Sequence, residues 1–128
     1  KSKLLSSVNH VNQDIKKFNL EIIESKILKK KSKIGIIGLS FKKGSDDVRD
    51  TPSYYYIKNM LQMGYTNIYV YDEIALESFK KNYPNLEINY CKSIKEIISK
   101  TSNIILLTNV SKIKNFKNKK VIDLKYQI

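Results

Sequence analysis

The sequence predicts an α/β protein: a Rossmann-like, doubly wound parallel sheet of about five strands, preceded by a long amphipathic helix. Short apolar runs alternate with segments of helical spacing along the chain after residue 32, the pattern of a parallel sheet with helical crossovers. The runs IGII (34–37) and NIILL (103–107) are apolar at almost every position, which suits strands covered on both faces. The first 31 residues instead carry an apolar stripe at three- and four-residue spacing, the period of a helix with one buried face. Right-handed crossovers then give the strand order 3-2-1-4-5.

The helix is expected over residues 1–31. Leu4, Leu5, Val8, Val11, Ile15, Phe18, Ile22 and Ile23 form its stripe, Ile27 and Leu28 extend it, and Lys29, Lys30 and Lys31 close it, where cations suit the helix dipole. This stripe needs a cover, either the sheet itself or another subunit. His10 reads as a surface residue, because nothing in the sequence pairs with it. The first strand follows at Ile34 and breaks at Gly38, where the backbone must turn sharply. A charged loop comes next. Thr51-Pro52 has the form of a helix start, a capping hydroxyl before a proline in the first turn. The helix runs from Ser53 to Met63, with Ile57, Met60 and Leu61 facing inward, and Gly64 ends it. Tyr54, Tyr55 and Tyr56 suit core packing or base stacking.

The second strand is Asn67–Asp72. Asp72 stands where a dinucleotide-binding domain places its ribose-binding acid. The first turn lacks the glycine fingerprint, so Asp72 reads as a helix cap or loop residue. A short helix is expected over 73–81, a weak third strand over 86–89, and a helix over 93–100. Ser93 with Glu96 three residues on forms a capping box there. Strands at 103–108 and 121–124 complete the sheet, with a short helical or turn segment at 110–116 between them.

Composition narrows the function. The chain has 128 residues, 41% of them hydrophobic, enough for one domain with a modest core. It has no apolar run of roughly 18 residues, so no membrane span, and its first residues lack the pattern of a secretory signal. The single cysteine, Cys91, forms no internal disulfide, consistent with a cytoplasmic location, and reads as structural. No HExxH, Walker A or CxxC motif occurs. The net charge of +12 raises nucleic acid as a partner. However, Arg49 is the only arginine among 24 basic residues, and bidentate base and phosphate contacts favour arginine. The lysines are also spread along the chain. A basic interaction module that binds nucleic acid or an acidic partner is therefore the alternative reading, not the leading one.

The chemistry concentrates in Lys33–Pro52, KIGIIGLSFKKGSDDVRDTP. A dinucleotide turn would read G-x-G-x-x-G and pass directly into a helix. Here Ser40 and Phe41 replace the later glycines, and the helix is delayed by about a dozen residues. Positions 42–50 hold two lysines, three aspartates and one arginine. Open α/β sheets bind ligands at the carboxyl ends of their central strands, which is where this loop falls. Lys42 and Arg49 suit phosphate or ribose groups, with the aspartates orienting them or capping the next helix. The other reading is a solvated loop with weak local ion pairs.

GLSFKKGSDDVRDTP resembles the G-L-[AS]-F-K-x-x-[TS]-D-D-x-R-[ED]-[ST]-P signature of the nucleotide-sugar 6-dehydrogenases, at the opening of their C-terminal, UDP-binding domain. Asp50 replaces the commoner glutamate and Thr51 the commoner serine. Val11-Asn12 is similar to the "VN" of the family's linker helix, although Ile15 stands where that helix usually has glutamine. Tyr71-Asp72 is similar to its "YDP", with Glu73 in place of proline. Asp123-Leu124-Lys125-Tyr126 departs from the D-x-R-N that often follows the last strand, so Lys125 takes no role from the family.

The resemblance implies an enzyme that oxidises the C6 hydroxymethyl of a nucleotide sugar to a carboxylate. Two NAD are consumed, through a cysteine-bound intermediate. It implies that Phe41 and Lys42 contact the nucleotide-sugar substrate and that Arg49 reaches toward NAD. Upstream NAD-binding and central domains carry the glycine fingerprint and the nucleophilic cysteine, neither of which occurs here. Residues 1–31 would then be a linker and dimerisation helix, residues 32–128 the nucleotide-sugar-binding domain, and the isolated chain non-catalytic.

Overall fold

The computed structural model describes residues 2–40, 45–108, 116 and 118–124, with side chains from residue 13 onward. The elements are α1 (Ser2–Lys26), β1 (Ile34–Ile37), α2 (Pro52–Gln62), β2 (Ile68–Tyr71), α3 (Leu76–Asn82), β3 (Asn89–Tyr90), α4 (Ile94–Lys100), β4 (Asn103–Leu106) and β5 (Lys120–Asp123). The five strands form one sheet in the order β3-β2-β1-β4-β5, with every pairing parallel. This is the expected order. The direction of the chain reverses its course across the sheet between β1 and β4, so the carboxyl ends of these two strands flank the crevice of an open sheet.

Successive strand residues point to opposite faces, and the core divides accordingly. Ile34, Ile36, Ile68, Val70, Ile105 and Ile122 pack with Leu20 and Ile23 of α1, Tyr56, Ile57 and Met60 of α2, and Phe79 of α3. On the other face Ile37, Ile104 and Leu106 pack with Cys91 and with Ile97 of α4. Helices thus cover both faces, and β1 and β4 are buried at all four positions.

The ends of several elements differ from the expected ones, for local reasons. α1 stops at Lys26, not near residue 31. The Tyr65 hydroxyl donates to the Ile27 carbonyl at 2.5 Å, and the Asn67 side-chain amide donates to the Lys31 carbonyl at 2.8 Å. Acceptors that would continue or follow the helix are therefore taken by the segment entering β2. α2 ends in a Schellman motif at Gly64 (φ 103°): Gly64 N–H donates to Leu61 O and Tyr65 N–H to Met60 O, both at 3.1 Å. α3 begins at Leu76, three residues late, because the Asp72 carboxylate accepts from the N–H groups of Ile74 and Ala75 and holds a turn there. The third strand pairs at 89–90, not 86–89; Leu86 and Ile88 pack against the core as loop residues.

α4 is capped as expected, with Ser93 Oγ accepting from Glu96 N–H at 3.0 Å. The glutamate reaches back to Lys92 N–H, one residue before the cap. The segment expected at 110–116 lies outside the described residues except for Phe116, which packs against the α4-side core.

The second half of α1 lies against α2. Leu20 and Ile23 are buried, and Asn19, itself fully buried, donates from Nδ2 to Tyr56 Oη at 2.9 Å. Ile23 and Ile27 of the stripe are therefore covered by this domain. Phe18, on the same helix, is 55% exposed. Tyr56 is in the core and Tyr54 and Tyr55 pack against it, which answers the packing reading of the tyrosine run.

Candidate functional site

The site is built at the carboxyl end of β1. Gly38 leaves the strand at φ 109°, a conformation that side chains with a Cβ rarely adopt. A Cβ there would lie 2.8 Å from Thr108 Cγ2 and 3.0 Å from Thr108 N, so the ends of β1 and β4 approach too closely for any other residue. The chain then passes through Leu39, whose side chain is buried in the core and whose backbone is held on both sides. Leu39 N–H donates to Asp72 Oδ2 at 2.7 Å. Its carbonyl accepts from Thr51 Oγ1 at 2.6 Å and Ser53 Oγ at 2.8 Å. The two ends of the charged loop, Leu39 and Thr51, are thereby fastened together as a neck.

Two sequence expectations are altered by this neck. Thr51 has the extended backbone of an N-cap, but its side chain makes no cap hydrogen bond; its hydroxyl goes to Leu39 instead. Asp72 does cap a turn, as read, and also crosses to β1, which sequence reasoning missed. The available signal was an acid at the carboxyl end of the neighbouring strand. Its Oδ1 and Oδ2 are both occupied by backbone N–H groups, which argues against a ribose contact.

Beyond the neck, residues 45–50 fold on themselves. Asp47 N–H donates to Ser45 Oγ at 3.0 Å, and Arg49 N–H donates to Asp47 Oδ1 at 3.1 Å. Between them Val48 is only 1% exposed, and its carbonyl accepts from Tyr83 Oη at 2.7 Å. Asp50 follows in the left-handed region at φ 52°. Burying Val48 turns its two neighbours outward. Arg49 forks onto Asp47, from Nε to Oδ1 at 3.0 Å and from Nη2 to Oδ2 at 2.9 Å, with its side chain 83% exposed. An aspartate orienting the loop cation is what the residue types suggested. A pair this exposed is weakly held, so an anionic ligand can compete with Asp47 for the fork.

The Arg49 side chain, then its backbone N–H, hold the Asp47 carboxyl down at about 2, against an ordinary 3.8, and Asp47 in turn pushes the Arg49 guanidinium up. A depressed carboxylate stabilises the folded loop above its unfolded pKa, and that contribution fades as pH falls through the folded one. Carboxyl NMR is expected to find Asp47 titrating near 2, and Arg49→Ala to return it toward 3.8. A wild-type midpoint already near 3.8 would show that the fork does not persist in solution.

Two open hollows flank the loop. One, about 350 Å³, is bounded by Asp50, Tyr54, Tyr55, Lys16 and Lys58. The other, about 850 Å³, lies between Asp46 and α3, against Glu77, Lys80 and Lys81. Phe41 and Lys42, the expected substrate contacts, lie outside the described residues, bounded in sequence by Ser40 and Ser45. Cys91 is buried, and burial with the nearby Glu96 charge pushes its thiol up, as expected of a structural cysteine. Among the described residues no cluster of His, Cys, Asp and Glu is arranged to hold a metal, and no helix is long and apolar enough to cross a membrane.

Comparison with known proteins places this architecture. The sequence profile of the UDP-glucose/GDP-mannose dehydrogenase family, UDP binding domain, matches residues 35–128. The UDP-glucose 6-dehydrogenase of Rickettsia bellii is 32% identical over 113 residues, covering 86% of this chain and 26% of that protein. The UDP-N-acetyl-D-mannosamine dehydrogenase of Methanococcus aeolicus is 25% identical over 130 residues, covering 99% of this chain and 27% of that one. Among solved structures, the UDP-glucose dehydrogenase of Pyrobaculum islandicum superposes with a TM-score of 0.81 at 21% identity, over 92% of this chain and 28% of the other. The chain thus spans about a quarter of the length of these curated relatives.

Proposed function

The chain belongs to the UDP-glucose/GDP-mannose dehydrogenase family, and from that premise we propose that it is the substrate-binding domain of an NAD-dependent nucleotide-sugar 6-dehydrogenase. One observation carries the reading. The loop GLSFKKGSDDVRDTP leaves the carboxyl end of the central strand β1 through a neck fastened at Leu39, where open sheets of this kind bind ligands. In this proposal Lys42 neutralises the diphosphate, Phe41 borders the substrate, and Arg49 reaches the cofactor from an exposed position. An ammonium on a flexible stem suits a diphosphate, and a planar fork suits a second phosphate or a ribose.

NAD supplies the hydride acceptor when bound, and the residues here do not fit it as a resident cofactor. The turn after β1 has no second glycine, and the Leu39 N–H that would face a pyrophosphate is already given to Asp72. Cofactor binding therefore falls mainly to an upstream domain, and the chain alone turns over nothing. Phe18, half-exposed on the stripe of α1, supports a second helix packing there in a homodimer.

Titration of the 15N-labelled chain with UDP-glucose and UDP-N-acetylmannosamine tests the proposal. Amides of residues 38–40 and 45–50 are expected to shift with a dissociation constant on the order of a millimolar. Loop amides that stay in place at several times that concentration would overturn it.

A further inference from the structure

We propose that Tyr83 is a positioning residue for the ligand-binding loop. It sets the loop's shape from beneath, through the Val48 carbonyl, without touching the ligand. The inference rests on the functional reading above and adds a residue that the signature does not contain. Tyr83 follows α3, on a different crossover from the loop, 35 positions from Val48. Its ring is wedged rather than free: it stacks on Tyr54 of α2 at 4.1 Å and 14° and tilts against Phe79 of α3 at 4.9 Å. With the ring fixed by two helices, its hydroxyl has one direction to point, and there it donates to Val48 O at 2.7 Å.

Val48 is the one residue of 45–50 whose side chain enters the core. The Tyr83 bond fixes the peptide that joins it to Arg49, and so the direction in which Arg49 leaves the domain. The neck at Leu39 ties the loop's ends; Tyr83 holds the 45–50 segment at Val48. An ordinary phenol is already protonated at neutral pH, and burial, then the Asp50 charge, pushes this one further up, so the hydroxyl is a donor.

Tyr83→Phe keeps the stack and removes only the donor. One neutral hydrogen bond, of about 0.5–1.5 kcal/mol, corresponds to a roughly 2- to 12-fold change in an equilibrium. In the 128-residue chain the variant is expected to weaken UDP binding by about that factor. By 15N relaxation, Val48 and Arg49 should fall from a rigid order parameter near 0.85 toward 0.6 or below, while core amides such as Ile36 keep theirs. That confinement to the loop separates positioning from general loosening. Unchanged order at Val48 and Arg49 overturns the inference whatever happens to affinity. Loosened order with unchanged UDP affinity also overturns it, because the loop's shape would then not matter to the ligand. A wild-type chain that ignores UDP overturns the functional reading, and the ligand half of this inference with it; loosening in Tyr83→Phe would still show the mechanical link.

Discussion

Gly38→Ala is expected to destabilise the chain by roughly 2–6 kcal/mol, the sum of backbone strain at a conformation that L side chains rarely adopt and overpacking. The two contributions have separate origins. The φ of 109° strains any residue with a Cβ. The added methyl would also meet Thr108, including its backbone nitrogen at 3.0 Å, which a rotamer change cannot move aside. Gly64 provides the contrast. Its φ is 103°, but the nearest atom to a new Cβ is Lys30 Cγ at 4.0 Å, the flexible part of a side chain. Gly64→Ala should therefore cost the strain alone, about 1–3 kcal/mol. Thermal melts check both: a fall in Tm of about 6 °C or more for Gly38→Ala, and a smaller fall for Gly64→Ala. Equal losses at the two positions would mean that the contact between the ends of β1 and β4 carries nothing. The loss at Gly38 is also expected to reach the loop, because the next residue, Leu39, is the one whose backbone Asp72, Thr51 and Ser53 hold.

In the nucleotide-sugar dehydrogenase proposed above, Lys42→Ala is the functional counterpart. If the lysine holds the diphosphate, its removal takes away a charge-assisted contact of about 1.5–3 kcal/mol. That corresponds to a fall in kcat/KM for the nucleotide sugar of roughly 10- to 150-fold. The loss should appear mainly in the substrate KM, since a ground-state phosphate contact contributes equally before and during the reaction. The KM for NAD should hardly move. An unchanged KM and turnover for the nucleotide sugar would remove Lys42 from the site.

Much of the architecture was legible in the sequence because it rests on side-chain periodicity. The nearly continuous apolar runs at 34–37 and 103–106 named the two central strands, and both are buried at every position. The half-alternating run at 68–71 named β2, whose Ile68 and Val70 alone are fully buried. Ser93 and Glu96 placed the start of α4 by local chemistry that needs no tertiary partner. Where sequence reasoning went astray, a distant group had taken a local role. The Thr51 hydroxyl suits a cap by type, yet it donates to the Leu39 carbonyl and makes no cap hydrogen bond to its own helix. α1 ends early because Tyr65, 38 positions away, takes the Ile27 carbonyl.

The loop was legible as a place of chemistry but not as a shape. Charge density at 42–50 marked it, and the Arg49–Asp47 fork is local enough to anticipate. The Asp72 and Tyr83 contacts are not, since they join residues 33 and 35 positions apart. Nothing in the period of α3 announces that the tyrosine after it will reach a carbonyl beside the arginine.

The central claim is that this domain holds a nucleoside diphosphate at the carboxyl edge of its sheet. The amino edge carries its own exposed lysines, Lys31, Lys33 and Lys120, the last two joined through the backbone of Ser102. A basic surface that merely attracts anions would respond there. Mapping the amide shifts caused by UDP therefore tests the claim most directly. The account predicts shifts at Gly38–Ser40, Ser45–Asp50 and Asp72, saturating together, with Lys31, Lys33, Ser102 and Lys120 unmoved. Shifts centred on that second group, and absent from the loop, would contradict it.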